Sequence, residues 1–354
     1  MDCTREEWIS HTKAVAILLV VIAHMFRGLI SANLYNSAGF KYIDFTLASF
    51  LMPLYFILSG YLYAKTKQIN CFSKYKKNAF NNVLNLGIPY FVFTIVQATI
   101  NIFLSSKTNG TVSVINILRI PISPLFQFWF LYALLIVLLI IPLLELWFKN
   151  QYLILAILII LKLASPYVVT NIYLIDSFCV NAFYFYMGKI LYLKNKTIVS
   201  NHRALTFFSL IYVFLNILVY TKFSYIHNSF IINILEITLA LTGSLFVIFV
   251  TSLLCTINNF IVHILNIIGK YSFHIYLLHV IPMAGIRIIL SKILKLDNLV
   301  LHATLGLVFG IGFPILVGYI AYKISMLNFF FHPTKYIHRG KENSIKIIPS
   351  VWSQ

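Results

Sequence analysis

The sequence predicts an all-α, polytopic membrane helix bundle, and three observations predict it. The first is composition. Of 354 residues, 60% are hydrophobic, 16% aromatic and only 10% charged, with a mean hydropathy of +0.89. Soluble domains carry roughly 45–50% apolar and about 25% charged residues, so no soluble fold could hide this much apolar surface. The second is a recurrence of apolar windows of spanning length, roughly 20 residues each. They fall at about 12–30, 44–64, 83–105, 126–148, 151–170, 172–194, 204–221, 229–253, 271–291 and 299–327, which makes about ten helices in one domain, 1–354. The third is where the cations lie. An even number of crossings puts both termini on one side, and the positive-inside rule makes that side cytoplasmic, N-in and C-in. Lys65, Lys67, Lys74, Lys76 and Lys77 follow the second window, Lys194, Lys196 and Arg203 follow the sixth, and a basic tail, 328–354, carries Lys335, Arg339, Lys341 and Lys346.

The formal charge of +18, with 27 Lys and Arg against 9 Asp and Glu, would suggest nucleic acid in a soluble chain. Here the cations cluster in short loops, where membrane orientation explains them, so no nucleic-acid partner is expected and membrane lipid is. The first window lacks a small-residue cleavage site and reads as a retained helix. Cys3, Cys71, Cys179 and Cys255 are scattered, form no CxxC, and read as small hydrophobes.

Helix one, WISHTKAVAILLVVIAHMFR, is the most informative. Lys13 stands at its mouth and His24 deep inside, eleven residues on. At 100° per residue the two return to within roughly 20° of one face, about 16 Å apart along the axis. Only Ala, Val, Ile and Leu lie between them. Two readings stand: a histidine hydrogen-bonded to a neighbouring helix for packing, or a functional ring kept where a polar group is expensive. Arg27 follows one turn further out. Asp44 marks the outer mouth of helix two, which continues past Pro53 to Ser59-Gly60, a small patch where a helix or a ligand can come close.

The later windows are punctuated by loop chemistry and isolated polar residues. The longest outer loop, 105–125, holds Asn-Gly, Pro121 and Pro124. Trp129 opens helix four and fits the aromatic belt. Glu145 is expected near water beside Lys149, and Asp176 has no evident partner in sequence. Glu236 reads as the most buried acid by position, facing a cation such as Arg287 or accepting a proton. The stretch 257–268 is apolar but short, and is expected along the inner interface. His274 and His279 are five residues apart and so on different faces. There is no HExxH and no Cys/His pairing, so no metal is expected. No GxSxG, P-loop or GxGxxG occurs, which removes most hydrolase and nucleotide readings.

Four stretches resemble acyltransferase family 3, the bacterial multi-pass membrane O-acyltransferases, and its fucose 4-O-acetylase-like branch. Lys13 to His24 is similar to the family's basic-residue, ten-residue gap, His pattern. PLYFILSGYLY, residues 53–63, resembles its aromatic-x-x-SG signature. FWFLYALL around Trp129 and IGKYSFHIYLLH, residues 268–279, complete the set. One run departs: before Pro89 the chain has Asn81 and Asn85 where members carry cations, with Lys76 and Lys77 displaced upstream.

The resemblance implies an O-acyltransferase of the bacterial cytoplasmic membrane, with acetyl-CoA or another acyl-CoA as donor and a cell-surface or lipid-linked carbohydrate as acceptor. No bound cofactor is implied. His24 would be general base or acyl-accepting nucleophile. Lys13, Lys76 and Lys77 would hold donor phosphates, and Ser59 and Trp129 would shape the acceptor mouth or donate to the oxyanion. His279 would support His24, while Arg27 and Glu236 would stand on the substrate path. Rival readings are a transporter or flippase for a lipid-linked saccharide and a non-catalytic assembly or sensor subunit.

Overall fold

A computed structural model describes residues 7–35, 37–66, 69–105, 112–194, 202–222, 225–257 and 259–337, and among them the only regular structure is helix. α1 (Glu7–Ser31) and α2 (Ala38–Thr66) form the first hairpin. α3 (Phe72–Asn82) runs through a π-helical turn, Val83–Gly87, into α4 (Ile88–Phe103). The turn lies just before Pro89, which has no N–H to give the carbonyl four residues back.

Short α5 (Val114–Leu118) leads to a 3₁₀ turn, Phe126–Phe128, and α6 (Trp129–Trp147). Then come α7 (Gln151–Ala164), α8 (Tyr173–Lys194), α9 (His202–Lys222) and α10 (Ser229–Ile257). α11 (Asn259–Leu278) and α12 (Val280–Ile288) are separated only by His279, and a second π-helical turn, Ile289–Ile293, follows. α13 (Leu299–Lys323), α14 (Ser325–Phe331) and α15 (Thr334–Ile337) complete the described chain.

Eight stretches among the described residues are long and apolar enough to cross a membrane, and the chain is a multi-pass membrane protein. The two additional expected windows differ from these. α7 has 14 residues, about 21 Å at 1.5 Å per residue, because Pro166 disfavours helix at Ser165. α8 has 22 residues but carries Asp176, Lys189 and Lys194.

Other boundaries also moved. Lys74, Lys76 and Lys77 lie on α3, not in a loop, and are exposed. The stretch 257–268 is not a separate interfacial segment, since from Asn259 it is the first half of α11. Lys67, Lys107, Lys196, Arg339, Lys341 and Lys346 lie outside the described residues.

α1 sits centrally, packed against α2, α10, α11 and α13. The closest crossing joins α2 to α8. A methyl group at Gly60 would run into the Phe185 carbonyl, and one at Gly188 into that of Ile57. Small residues at such a crossing let backbones meet where lipid supplies no hydrophobic drive between helices. Beside it a partly buried ion pair joins α8 to α6, Lys189 Nζ to Glu145 Oε1 at 2.6 Å, with the Tyr63 hydroxyl of α2 donating to Glu145 Oε2 at 3.0 Å. Glu145 therefore faces Lys189 and not water beside Lys149. Asp176, expected without a partner, accepts from the Thr170 amide at 2.9 Å and hydroxyl at 2.8 Å and anchors the entry to α8.

Candidate active site

A cavity of about 520 Å³ opens among α1, α2, α6, α7, α8, α9 and α10. Every element reaches it with the same end: the C-terminal halves of α1, α7 and α9, and the N-terminal halves of α2, α6, α8 and α10. The up-and-down course of the chain makes this a single end of the bundle, opposite to Lys13. The walls are mostly aliphatic and aromatic, with a small polar set comprising His24, Arg27, Ser49, Lys162, Asn181 and Glu236, and Trp129 at the start of α6. A few placed polar groups in an apolar concavity is the usual build of a small-ligand site.

His24 reaches the cavity and makes no hydrogen bond to any described residue. Its ring lies edge-on to that of His279, centroids 5.1 Å apart and planes at 63°. His279 is fully buried. Its Nδ1 is 2.8 Å from the Ile275 carbonyl and 3.0 Å from that of Tyr276. Carbonyl oxygens only accept, so Nδ1 carries the hydrogen and Nε2 of the neutral ring keeps a lone pair. That Nε2 has no hydrogen-bond partner among the described residues. Local sequence sets this up: Pro282 has no N–H for the Leu278 carbonyl, so the helix breaks at His279. His274 faces elsewhere, its ring packed against Phe331 and Tyr322, as a five-residue spacing requires.

At the rim, Arg27 Nε donates to Asp44 Oδ1 at 2.6 Å. This ties the end of α1 to the start of α2. Trp129 is half-buried in the wall, and its carbonyl accepts from the Tyr173 hydroxyl at 3.5 Å. Glu236 lines the cavity but is exposed, so it is not the most buried acid; Glu145 is far more enclosed. Nor does it face Arg287, which lies across α1 beside Gly28. The cation whose charge it feels is Lys162.

Lys162 is the residue that sequence reading missed. The residue is 5% exposed, its ammonium stands 5.7 Å from the Tyr184 ring, and that ammonium makes no hydrogen bond or ion pair with a described residue. The available signal was a lone lysine inside QYLILAILIILKLA, since an intramembrane cation is expensive and marks a function by default. Asn181 beside it donates its amide to the Ser177 carbonyl at 2.9 Å and was missed too.

Four expected site residues lie apart from this group. Ser59 is buried at the α2–α8 crossing, its hydroxyl donating to the Tyr55 carbonyl at 2.7 Å. Lys13 is 4% exposed at the other end of α1 and feels the charge of Lys65. Lys76 and Lys77 are solvent-exposed on α3, with Lys76 Nζ 5.0 Å over the Phe72 ring. Asn85, where a cation was expected, accepts from the Thr334 amide and hydroxyl at 3.3 and 2.7 Å and pins the segment after α14. Among the described residues, no group of three or more His, Cys, Asp or Glu side chains is placed to hold a metal.

A family model described as an acyltransferase domain matches residues 6–323. No curated protein and no solved structure matches the chain.

Proposed function

Because the chain belongs to acyltransferase family 3, and is thereby a membrane acyltransferase, we propose that it is an O-acetyltransferase of the bacterial cytoplasmic membrane. It takes the acyl group from acyl-CoA at the cytoplasmic face and passes it to a hydroxyl of a cell-surface or lipid-linked carbohydrate. The observation that carries this reading is His24: an imidazole with no hydrogen-bond partner among the described residues, backed by a buried His279, facing a cavity whose other polar groups suit a polyol.

His24 accepts the hydrogen of the acceptor hydroxyl as its oxygen attacks the thioester carbonyl. The C–S bond then breaks, and the CoA thiolate leaves and takes up that proton. A His24 nitrogen could instead carry the acyl group between the two partners. In either route the ring needs a fixed orientation and a free lone pair. His279, with its own tautomer held by two carbonyls, is the contact that orients it. Lys13 supports an acyl-CoA path from the opposite end, and Lys76 and Lys77 offer point charges for the nucleotide phosphates. Arg27, Trp129, Lys162 and Glu236 support an acceptor entering from the cavity mouth.

The test is His24→Ala in native membranes supplied with labelled acetyl-CoA. Transfer of label to glycan should fall about 100-fold or more, the scale of a lost general base, with membrane insertion unchanged. Residual transfer within a few-fold of wild type would reject the role.

A further inference from the structure

A second concavity, about 250 Å³, lies beyond the end of α1, between the turn that follows α1, the end of α12 with its π-helical turn, and the loop into α13. Its charged lining is Arg287, Lys292 and Lys295 against a single acid, Asp297. The Arg287 guanidinium lies against Gly28, where an added methyl would strike it, and it makes no hydrogen bond or ion pair with a described residue. Asp297 likewise has no cation within ion-pair distance among the described residues. An arginine fork left open in a basic concavity matches the oxygens of a phosphate group.

The concavity is held open by structure. The π-helical turn Ile289–Ile293 widens the helix, and such turns recur at functional sites. Lys295 adopts the left-handed region with φ of 52°, a conformation that costs free energy in a residue other than glycine. The loop is then pinned from three directions. The Leu296 amide donates to the Leu290 carbonyl at 2.8 Å, Tyr35 donates to the Asp297 carbonyl at 2.8 Å, and His302 Nε2 donates to the Leu296 carbonyl at 3.0 Å. Two lysines merely reaching for lipid headgroups would need neither the strained residue nor a glycine kept clear for an arginine.

We infer that this concavity binds a phosphate or diphosphate group, supplied by a lipid headgroup or by a lipid-linked saccharide. Arg287 grips it as a fork and Lys292 and Lys295 neutralise it. Arg27 faces the acceptor cavity and Gly28 faces this concavity, so a ligand held here would lie one helix away from His24. The inference concerns binding alone and stands whether or not acyl transfer is the activity.

The purified full chain, in a detergent free of phospholipid, is titrated with inorganic pyrophosphate at constant ionic strength. In parallel it is placed in nanodiscs of phosphatidylcholine with and without phosphatidylglycerol, with thermal stability as the readout. Saturable stabilisation by pyrophosphate would mean that the diphosphate itself is sufficient. Stabilisation by phosphatidylglycerol alone would assign the headgroup. In both cases Arg287→Gln and Gly28→Ala should weaken the effect at least tenfold. Gly28→Ala keeps every cation and displaces only a flexible guanidinium end, so the fold survives and a general charge effect would leave it like wild type. If neither probe stabilises the chain, or if both variants respond as wild type does, the inference is overturned.

Discussion

Lys162 illustrates what one side chain can disclose. The ammonium of a lysine that is only 5% exposed, in a wall shared with His24, loses hydration that only a ligand or a distant carboxylate can replace. Glu236 across the cavity offsets part of that cost. If the acceptor supplies the rest, Lys162→Met should raise the acceptor KM by about ten- to a hundredfold, the worth of a hydrogen bond to a charged group. The acyl-CoA KM should stay as it is. A variant that shifted the acyl-CoA KM instead would move Lys162 to the donor side. His24 was conspicuous from residue type and spacing, because it stands at the far side of an unbroken run of Ala, Val, Ile and Leu, whereas His11 lies before that run. Lys162 was equally conspicuous in type but went unread, as nothing local says which way a lysine points from a helix that is apolar on every side.

Among the elements, the α2–α8 crossing is the tightest joint. Gly60 and Gly188 each sit where the partner backbone leaves no space. Overpacking costs about 1–3 kcal/mol when neighbouring side chains can yield; here carbonyls would have to retreat. Gly60→Ala should therefore cost about 3 kcal/mol and lower the thermal midpoint measured in detergent, and an unchanged midpoint would mean the helices do not approach so closely. Reading Ser59-Gly60 as a site for close approach was right in its physics. What approaches Gly60 is a helix, and Ser59 is spent on the Tyr55 carbonyl. The break at His279 belongs to the same scale. Pro282 announces a lost hydrogen bond in the sequence, yet only packing against α1 shows that the break delivers a ring to His24.

For the molecule as a whole, the alternation of helix directions gathers seven helix ends around one cavity and sends Lys13 to the far end. The positive-inside rule expects the N-terminus inside, and on that orientation Cys71, exposed at the start of α3, faces the cytoplasm. In a chain with Cys3, Cys179 and Cys255 replaced by Ser, a membrane-impermeant maleimide should label inverted vesicles and spare intact spheroplasts. Labelling of intact spheroplasts would invert the orientation and with it the assignment of donor and acceptor ends.

By itself the sequence determined the class of the protein. Its apolar excess demands a bilayer, its four short motifs mark the acyltransferase family, and an imidazole beyond the aliphatic run of α1 names the candidate base. These follow from composition and local spacing, which survive without knowledge of neighbours. Only the tertiary structure decided which polar side chains meet. It joined Lys162, Asn181 and Glu236 to His24, gave Asp44 to Arg27 and Lys189 to Glu145, and left Ser59, Lys13, Lys76 and Lys77 elsewhere. Such meetings depend on how far each helix is rotated and slid against the next. In helices apolar all round, that register is set by small residues and shape at the contacts, and no single segment encodes it.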